Sequence, residues 1–372
     1  MLPSGPESTR SIAGVAPQLL AALRGTGSDL PRARSAVLVV VDGLGAIPLR
    51  SHAGHARTLS SAMAKKDVAG AVFPTTTAAA LTSLLTGVEP GAHGMVGYRV
   101  LDPASGRLVN QLTDWESAGI DPLRWQAAPT VFEQAAAAGH RAFAVAVPGF
   151  AHTGLTRAIL RGAEFRPARS AADRVELAWE LADAHDGSLV YCYLPEVDKA
   201  GHRYGIDSAE WVAALEDVDA ALSRRIPDGV GVIVTADHGM VDVPAHRQLA
   251  IDAAGGWYDG IRHIGGEPRM LHVYTEPDAD LSRILERWRR DLDGLADVVS
   301  RTEAIDGGLL GPVVTDAARE RTGDMLVVAR SNRAIYDGDA EDQRGRGMIG
   351  QHGGLTVEEW RVPLIRMGAF AR

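Results

Sequence analysis

The chain contains very little cysteine and no long apolar run, and both shortages exclude whole classes of protein. Cys192 is the only cysteine among 372 residues, so the chain can form neither an intramolecular disulfide nor a cysteine-rich zinc module. No stretch approaches the ~20 consecutive apolar residues of a membrane-spanning helix, and we expect no membrane partner. Residues 1–7 lack the basic start and apolar run of a secretory signal. We therefore expect a cytoplasmic protein.

Positive charge is also in short supply. The chain has 38 Lys and Arg against 47 Asp and Glu, which gives a net charge of -9. Because proteins bind nucleic-acid polymers mainly through clusters of Lys and Arg, we expect no such polymer as a partner. A small ligand that carries phosphate would need positive charge supplied locally, at its binding site.

What the sequence does contain is a series of short segments that are apolar on both faces. These are residues 36–41, 142–147, 189–194 and 231–236. Such runs are typical of strands buried on both sides. Segments with helical spacing lie around and between them, at residues 129–138, 170–184 and 208–225. The alternation predicts an α/β fold in which helices cover both faces of a mostly parallel central sheet.

Residues 245–345 have a different pattern. They contain a predicted strand (269–275), a long amphipathic helix (280–295) and a second strand (324–329), separated by Gly and Asp clusters. We predict three parts, which are an N-terminal helical extension (1–34), a core domain (35–244 and 346–372) and a small α+β insertion (245–345) that shapes the pocket.

Polar residues follow the predicted strands. They are Asp42, Thr77, Asp198 with His202, Asp237 with His238, and, near the end of the chain, His352. Because ligands of open α/β sheets bind outside the carboxyl ends of the strands, we expect these side chains to share one edge. Each has an ordinary alternative: a turn at Asp42, a helix N-cap at Thr77, a surface ion pair between Asp198 and His202, and a capped helix start at Asp237 and His238. Their coincidence at strand ends favours a common site.

Three carboxylates and three imidazoles are the ligands that suit two divalent cations, most naturally zinc. Two such ions a few ångströms apart can polarise a phosphoryl oxygen and hold a leaving oxygen. A Thr hydroxyl ionises too weakly at neutral pH to act alone, and neither Lys nor His lies beside Thr77 in the sequence. Coordination to a metal is then the available means of activating it.

These motifs resemble the alkaline phosphatase superfamily, and most closely its type I phosphodiesterase and nucleotide pyrophosphatase branch. The resemblance runs from about residue 35 to 365, and its segments are residues 39–43, 73–87, 198–202, 235–240 and 352–353. It implies an alkaline-phosphatase-like fold and a hydrolase that forms a phosphothreonine. It also implies one zinc ion on Asp198, His202 and His352, and a second on Asp42, Thr77, Asp237 and His238, with Mn²⁺ as the alternative metal.

The resemblance also selects the nucleophile among three consecutive threonines. The family's nucleophile lies nine residues before the Thr of a Thr-Gly pair, and counting back from Thr86 gives Thr77 rather than Thr75 or Thr76.

The substrate is less well defined, because the sequence departs from the family after Thr77, where three alanines replace Phe-Pro-Asn. Tyr98 stands where the family has an Asn that contacts phosphate, and Arg99 and Lys199 are further candidates for substrate binding. A pocket wall, a surface ion pair and a solvated side chain are their respective alternatives. We expect a small phosphodiester or nucleotide pyrophosphate as the substrate. The alternatives are a phosphomonoesterase, a phosphonate carbon–phosphorus hydrolase, or a metal-stabilised binding module without catalysis.

Overall fold

A computed structural model describes residues 10–340 and 343–371 of the chain. The first nine residues of the predicted N-terminal extension lie outside the described residues, as do residues 341–342 of the predicted insertion and residue 372.

The strands range from two to eight residues in length. In chain order they are β1 (Ser35–Val41), β2 (Val68–Gly70), β3 (Arg99–Asp102), β4 (Arg107–Asn110), β5 (Ala142–Ala146), β6 (Glu164–Pro167), β7 (Leu189–Leu194), β8 (Val230–Thr235), β9 (Val241–Asp242), β10 (Gln248–Ile251), β11 (Ile261–Glu267), β12 (Met270–Thr275), β13 (Ala296–Ser300), β14 (Met325–Ala329), β15 (Ala334–Asp337), β16 (Gly350–Gln351) and β17 (Arg361–Gly368).

Seven of these strands form the central sheet, in the order β2-β17-β8-β1-β7-β5-β6. Strand β17 runs antiparallel to both of its neighbours, and the direct pairs among β8, β1, β7, β5 and β6 are all parallel. The four segments that are apolar on both faces are β8, β1, β7 and β5, which are adjacent, and every residue in them is buried. The prediction of a mostly parallel α/β fold is therefore confirmed.

The α-helices are mostly short. They are α1 (Val15–Arg24), α2 (Ala46–Ser51), α3 (Arg57–Ala62), α4 (Thr77–Thr86), α5 (Pro90–His93), α6 (Pro122–Trp125), α7 (Val131–Ala137), α8 (Gly154–Ile159), α9 (Ala171–Ala184), α10 (Glu196–Tyr204), α11 (Ala209–Leu222), α12 (Leu281–Asp291), α13 (Arg301–Asp306), α14 (Asp316–Arg321) and α15 (Val357–Trp360). In the part of the chain that the structure describes, no helix has both the length and the apolar character needed to cross a membrane.

The helices pack in two groups around the sheet. One group contains α1, α4 and α7, and the other contains α9, α11 and α3. Helices α1 and α9, one from each group, both contact the central strand β1. The apolar residues of α1, among them Leu19 and Leu23, are buried in the main core.

Two elements are shorter than their sequence patterns predict. Residues 68–73 look like one strand, but only Val68–Gly70 is a strand, because the partner β17 offers only Arg361–Pro363 for pairing. The helix predicted over 280–295 spans Leu281–Asp291 instead. Asp280 is its N-cap, and the side chain accepts a hydrogen bond from the Arg283 backbone N–H.

Within residues 245–345 lies a separate antiparallel sheet of four strands in the order β11-β12-β14-β13. Its side chains alternate between two cores, since Met270 packs into the main core, whereas Leu271 and Val273 pack around Trp288. One face of this sheet is thus continuous with the core of the central domain. The division of the chain at residues 245 and 345 stays a prediction.

Candidate metal centre

The residues that follow the central strands meet at one edge of the sheet. Asp42 directly follows β1, and the parallel neighbour β8 leads into Asp237 and His238. Strand β7 leads into helix α10, which carries Asp198 and His202 on successive turns. His352 follows β16, whose pairing with β9 brings it back from the far end of the sequence.

Two groups of these side chains have ligand atoms within 4.8 Å of one another, and both groups contain His238. In the first, His238 Nε2 lies 3.5 Å from Asp42 Oδ1 and 3.5 Å from Asp237 Oδ2. The second consists of Asp198, His238 and His352. His202 joins this group, since its Nε2 is 3.4 Å from Asp198 Oδ1.

The three imidazoles are all oriented in the same way by backbone carbonyls. Each ring donates its Nδ1–H to a carbonyl oxygen: His202 to Gly350 at 2.8 Å, His238 to Gly239 at 3.0 Å, and His352 to Thr75 at 2.8 Å. A carbonyl oxygen cannot donate a proton, so each Nδ1 must be the protonated nitrogen. The Nε2 atoms that face the centre are therefore lone-pair donors in the neutral rings.

This arrangement fits divalent cations. The Nε2 atoms of His202 and His352 are only 3.2 Å apart, so two lone pairs face each other. One oxygen each of Asp42, Asp198 and Asp237 is buried without a hydrogen-bond partner. Buried polar atoms are seldom left unpaired, and carboxylate with imidazole is a donor set that suits zinc.

Burial pushes the protonation of these groups in opposite directions. It raises the pKa of Asp42, Asp198 and Asp237, and the neighbouring carboxylate of Asp237 raises that of Asp42 and Asp198 further. It lowers the pKa of all three histidines. The imidazoles are thus held neutral, which is the form that binds a metal, and the carboxylates lack the positive charge that would stabilise their ionised form.

Of the three consecutive threonines, the structure brings Thr77 to this centre. Thr77 Oγ1 lies 3.2 Å from His238 Nε2. The Thr75 hydroxyl instead donates to the Gly354 carbonyl at 2.8 Å. Thr76, not Thr77, is the N-cap of α4. The N-cap alternative for Thr77 is therefore wrong, and its hydroxyl is available to the centre.

Two of the other ordinary alternatives also fail. Residues 237–240 form no helix, and Asp237 Oδ1 accepts the backbone N–H groups of Gly43 at 3.3 Å and His238 at 3.0 Å. Asp198 and His202 are not a surface pair, because their side chains are only 13% and 22% exposed. Asp42 does precede a turn, in which Gly43 has φ +71° and a side chain would meet Asp198 at 2.9 Å. The glycine thus allows β1 and α10 to bring their carboxylates together.

The three predicted substrate contacts lie in different surroundings. Lys199 Nζ is 5.6 Å from the centre of the Phe150 ring, and its charge favours the ionised form of Asp198, which places it beside the metal centre. Tyr98 donates its backbone N–H to Glu267 Oε2 at 3.0 Å. Arg99 begins β3, and its charge partly offsets the raised pKa of Tyr258, which belongs to residues 245–345.

Sequence reasoning missed several supporting residues. The Tyr193 hydroxyl donates a hydrogen bond to Asp42 Oδ2. Thr75 holds the His352 loop through its carbonyl and its hydroxyl. The backbone carbonyl of Glu359 accepts the N–H of Gly239 at 2.8 Å. The one signal for Tyr193 is a hydroxyl near the end of a strand that is otherwise apolar.

Comparison with known proteins gives a consistent result. The profile of the family described as type I phosphodiesterase / nucleotide pyrophosphatase matches residues 36–355. A Schizosaccharomyces pombe protein named as an uncharacterised pyrophosphatase/phosphodiesterase is 28% identical over 193 residues, which is 48% of this chain and 39% of that protein. The chain thus aligns with less than half the length of the curated relatives it matches.

Two solved structures share the fold. Phosphonoacetate hydrolase from Sinorhizobium meliloti, in complex with phosphonoformate, matches with a TM-score of 0.68 at 21% identity, over 91% of both chains. An inactive variant of murine ectonucleotide pyrophosphatase/phosphodiesterase 5, in complex with AMP, matches with a TM-score of 0.67 at 19% identity. That match covers 90% of this chain and 88% of the murine chain.

Proposed function

The chain belongs to the type I phosphodiesterase / nucleotide pyrophosphatase family, and from this membership we propose that it is a two-zinc phosphoric ester hydrolase. Its substrate is a small phosphodiester or nucleotide pyrophosphate, and Thr77 is the nucleophile that carries the phosphoryl group between two steps. One observation carries the proposal. Thr77 Oγ1 lies 3.2 Å from Nε2 of His238, the residue shared by both groups of candidate metal ligands.

The ligands divide into two sets. Asp198, His202 and His352 would hold one ion, and Asp42, Asp237, His238 and Thr77 would hold the other. Dications at these positions would lower the pKa of a nearby hydroxyl and neutralise charge on a phosphoryl group. The unpaired carboxylate oxygens and the opposed Nε2 atoms support this division.

The chain's own groups then have defined tasks in the reaction. Thr77 Oγ forms a bond to phosphorus, and the leaving alcohol oxygen departs with its bonding electron pair and gains a proton. Thr77 is the first residue of α4, so the N–H groups of that helical turn favour a bound anion. In the second step a water molecule attacks phosphorus, the bond to Thr77 Oγ breaks, and the threonine hydroxyl is restored.

A second candidate is hydrolysis of a phosphonate carbon–phosphorus bond on the same site. The observation that favours it is the fold shared over 91% of both chains with phosphonoacetate hydrolase. The murine relative, which was solved with AMP, overlaps to almost the same extent, so the fold does not choose between the two. Catalytic efficiency toward monoesters, diesters, nucleotides and phosphonates, each measured with added zinc, decides the substrate class.

The nucleophile is tested by Thr77→Ala, with Thr86→Ala as the matched control. Thr86 lies at the other end of α4, where its hydroxyl bonds to the Thr82 carbonyl within the helix. We expect Thr77→Ala to lower kcat for a chromogenic phosphodiester by roughly 10⁴-fold or more, as for other enzymes that lose a covalent nucleophile, while Thr86→Ala retains activity. Survival of full activity in Thr77→Ala would show that Thr77 is not the nucleophile.

The covalent step has its own signature. A substrate that is chiral at phosphorus should be hydrolysed with net retention of configuration, because two in-line displacements each invert it. Rapid quenching should also leave a phosphorylated peptide that contains Thr77. Net inversion would mean that water attacks the substrate directly, and the binding-module alternative predicts zinc binding with no hydrolysis of any compound in the panel.

A further inference from the structure

Glu267 is a buried carboxylate outside the candidate metal centre. It ends strand β11, within residues 245–345, and it is 7% exposed. Oε2 accepts the Tyr98 backbone N–H at 3.0 Å, but Oε1 has no hydrogen-bond partner. Arg269, two residues later, pairs with Glu359 instead. Burial raises the pKa of Glu267 to about 8. Such a group costs stability, so its presence requires a reason.

The contacts of Glu267 supply that reason. The Thr76 side chain lies close enough to lower the pKa of the Glu267 carboxyl by hydrogen bonding. A side chain at Gly353 would meet Glu267 Cγ at 2.5 Å, so the carboxylate packs directly on that backbone. Thr76 precedes Thr77 and is the N-cap of α4, and Gly353 follows His352. Glu267 therefore touches the chain one residue away from the nucleophile and one residue away from a candidate metal ligand.

The two glycines before Glu267 allow this close approach. A side chain at Gly265 would lie 2.6 Å from the Arg99 carbonyl oxygen. Gly266 has φ +83°, and a side chain there would lie 2.2 Å from the Met270 carbonyl oxygen. The end of β11 is thus pressed against the segment that carries Tyr98 and Arg99. This packing places the carboxylate of Glu267 among three segments that are far apart in the sequence.

We propose that Glu267 is a positioning residue, which fixes Thr77 and His352 relative to each other by holding Thr76, Tyr98 and Gly353. The proposal rests on the proposed function for Thr77 and His352. It assigns to the insertion a direct part in the geometry of the reaction, in addition to any contact with the leaving group.

The kinetic test compares Glu267→Ala with Glu267→Gln in zinc-loaded protein. Because a displacement of about 1 Å can cost on the order of 10²-fold in rate, we expect Glu267→Ala to lower kcat by roughly 10- to 100-fold, with little change in KM or zinc content. Glu267→Gln retains an oxygen that can accept the Tyr98 N–H, so it should recover most of the activity. Glu303→Ala, which removes a helix capping box in the same insertion, should lower Tm and leave kcat unchanged.

A kcat for Glu267→Ala within about twofold of wild type, or a loss that only follows loss of zinc, would overturn the proposal. If Glu267→Ala does not fold, Thr76→Val tests the same contact and should lower kcat in the same direction. Unchanged kcat in that variant would also count against it. Where both variants fold, the double variant should be no slower than Glu267→Ala alone.

Hydrogen exchange separates this proposal from the proposed function. In zinc-loaded protein without substrate, amides in a peptide spanning residues 74–86 should exchange faster in Glu267→Ala than in wild type. Unchanged exchange would refute the positioning role. A wild-type protein that hydrolyses nothing in the panel would refute the proposed function alone, because the exchange measurement does not depend on turnover.

Discussion

At the candidate metal centre, each imidazole is oriented by a backbone carbonyl and one carboxylate is oriented by a tyrosine. The hydroxyl of Tyr193 donates to Asp42 Oδ2, which leaves Asp42 Oδ1 unpaired and 3.5 Å from His238 Nε2. Groups that hold a ligand by its outer atom fix its direction and contribute to metal affinity. Tyr193 therefore belongs to the centre although it would not touch an ion.

Replacing this hydroxyl should weaken zinc binding without unfolding the protein. We expect Tyr193→Phe to lower zinc affinity by roughly 10- to 100-fold, the usual effect of losing a group that orients a ligand. Tyr191→Phe is the matched control, since Tyr191 stacks on Tyr193 with ring centres 6.2 Å apart on the same strand. Competition with a chelator of known affinity measures both variants. Equal affinities for wild type and Tyr193→Phe would show that the hydrogen bond is unimportant.

The sequence could identify the residues at the strand ends but not their partners. Asp42, Asp198 and Asp237 each follow a strand or open the next element, so their pattern shows in the sequence. The role of Tyr193 depends on the register between β1 and β7, which pairs it with Val40. That pairing joins residues about 150 positions apart, and a single sequence carries no signal for it.

At the scale of elements, the turn between β11 and β12 connects the insertion to the metal centre. Arg269 in this turn makes two hydrogen bonds to Glu359, at 3.0 and 2.6 Å, and both side chains are fully buried. Glu359 also accepts the Gly354 N–H at 2.9 Å, and its backbone carbonyl accepts that of Gly239 at 2.8 Å. One ion pair thus supports the loops that follow both His238 and His352.

Breaking this pair should be costly, because it leaves a buried charge uncompensated. We expect Arg269→Met to lower the free energy of unfolding by about 3–5 kcal/mol. Arg287→Met removes an ion pair with Asp259, whose side chain is 80% exposed, and should cost less than about 1 kcal/mol. Urea unfolding compares the two. A similar loss in both variants would mean that the buried pair has no special role.

The pH dependence of the difference provides a second check. Burial raises the pKa of Glu359, but Arg269 and the surrounding donors outweigh it, and the pKa is lowered overall. The stabilisation is therefore present above the ordinary carboxyl pKa and is lost as the pH falls through the lowered value. The difference between wild type and Arg269→Met should shrink in acid. A difference that is constant with pH would assign the loss to packing instead.

At the scale of the whole molecule, the fold was more predictable than the insertion. Buried strands such as β1 and β8 are apolar on both faces, so their period and length identify them before any pairing is known. The contact between the β11–β12 turn and the His352 loop is different. It brings residues 267 and 353 together through packing of two sheets, and neither segment has a pattern that predicts the other.

The net charge of -9 has a local counterpart at the metal centre, where three buried carboxylates face one another. Without bound cations this repulsion lowers stability, and ligands that bind only the folded state raise it. Zinc at about 100 times its Kd should add about 2.7 kcal/mol per site and raise Tm, and a chelator should reverse the change. No response of Tm to zinc would contradict the metal centre.

Asp237→Asn distinguishes specific binding from a general effect of zinc on an acidic protein. Asparagine retains an oxygen that can accept the N–H groups of Gly43 and His238, but it removes one of the three negative charges. We therefore expect the metal-free variant to be more stable than metal-free wild type, while most of the zinc-dependent rise in Tm is lost. Asp228→Asn, at a side chain that is 91% exposed, removes the same charge from the surface and should keep the full zinc response. If both variants respond to zinc like wild type, the rise in Tm reflects non-specific binding and the centre does not hold the metal.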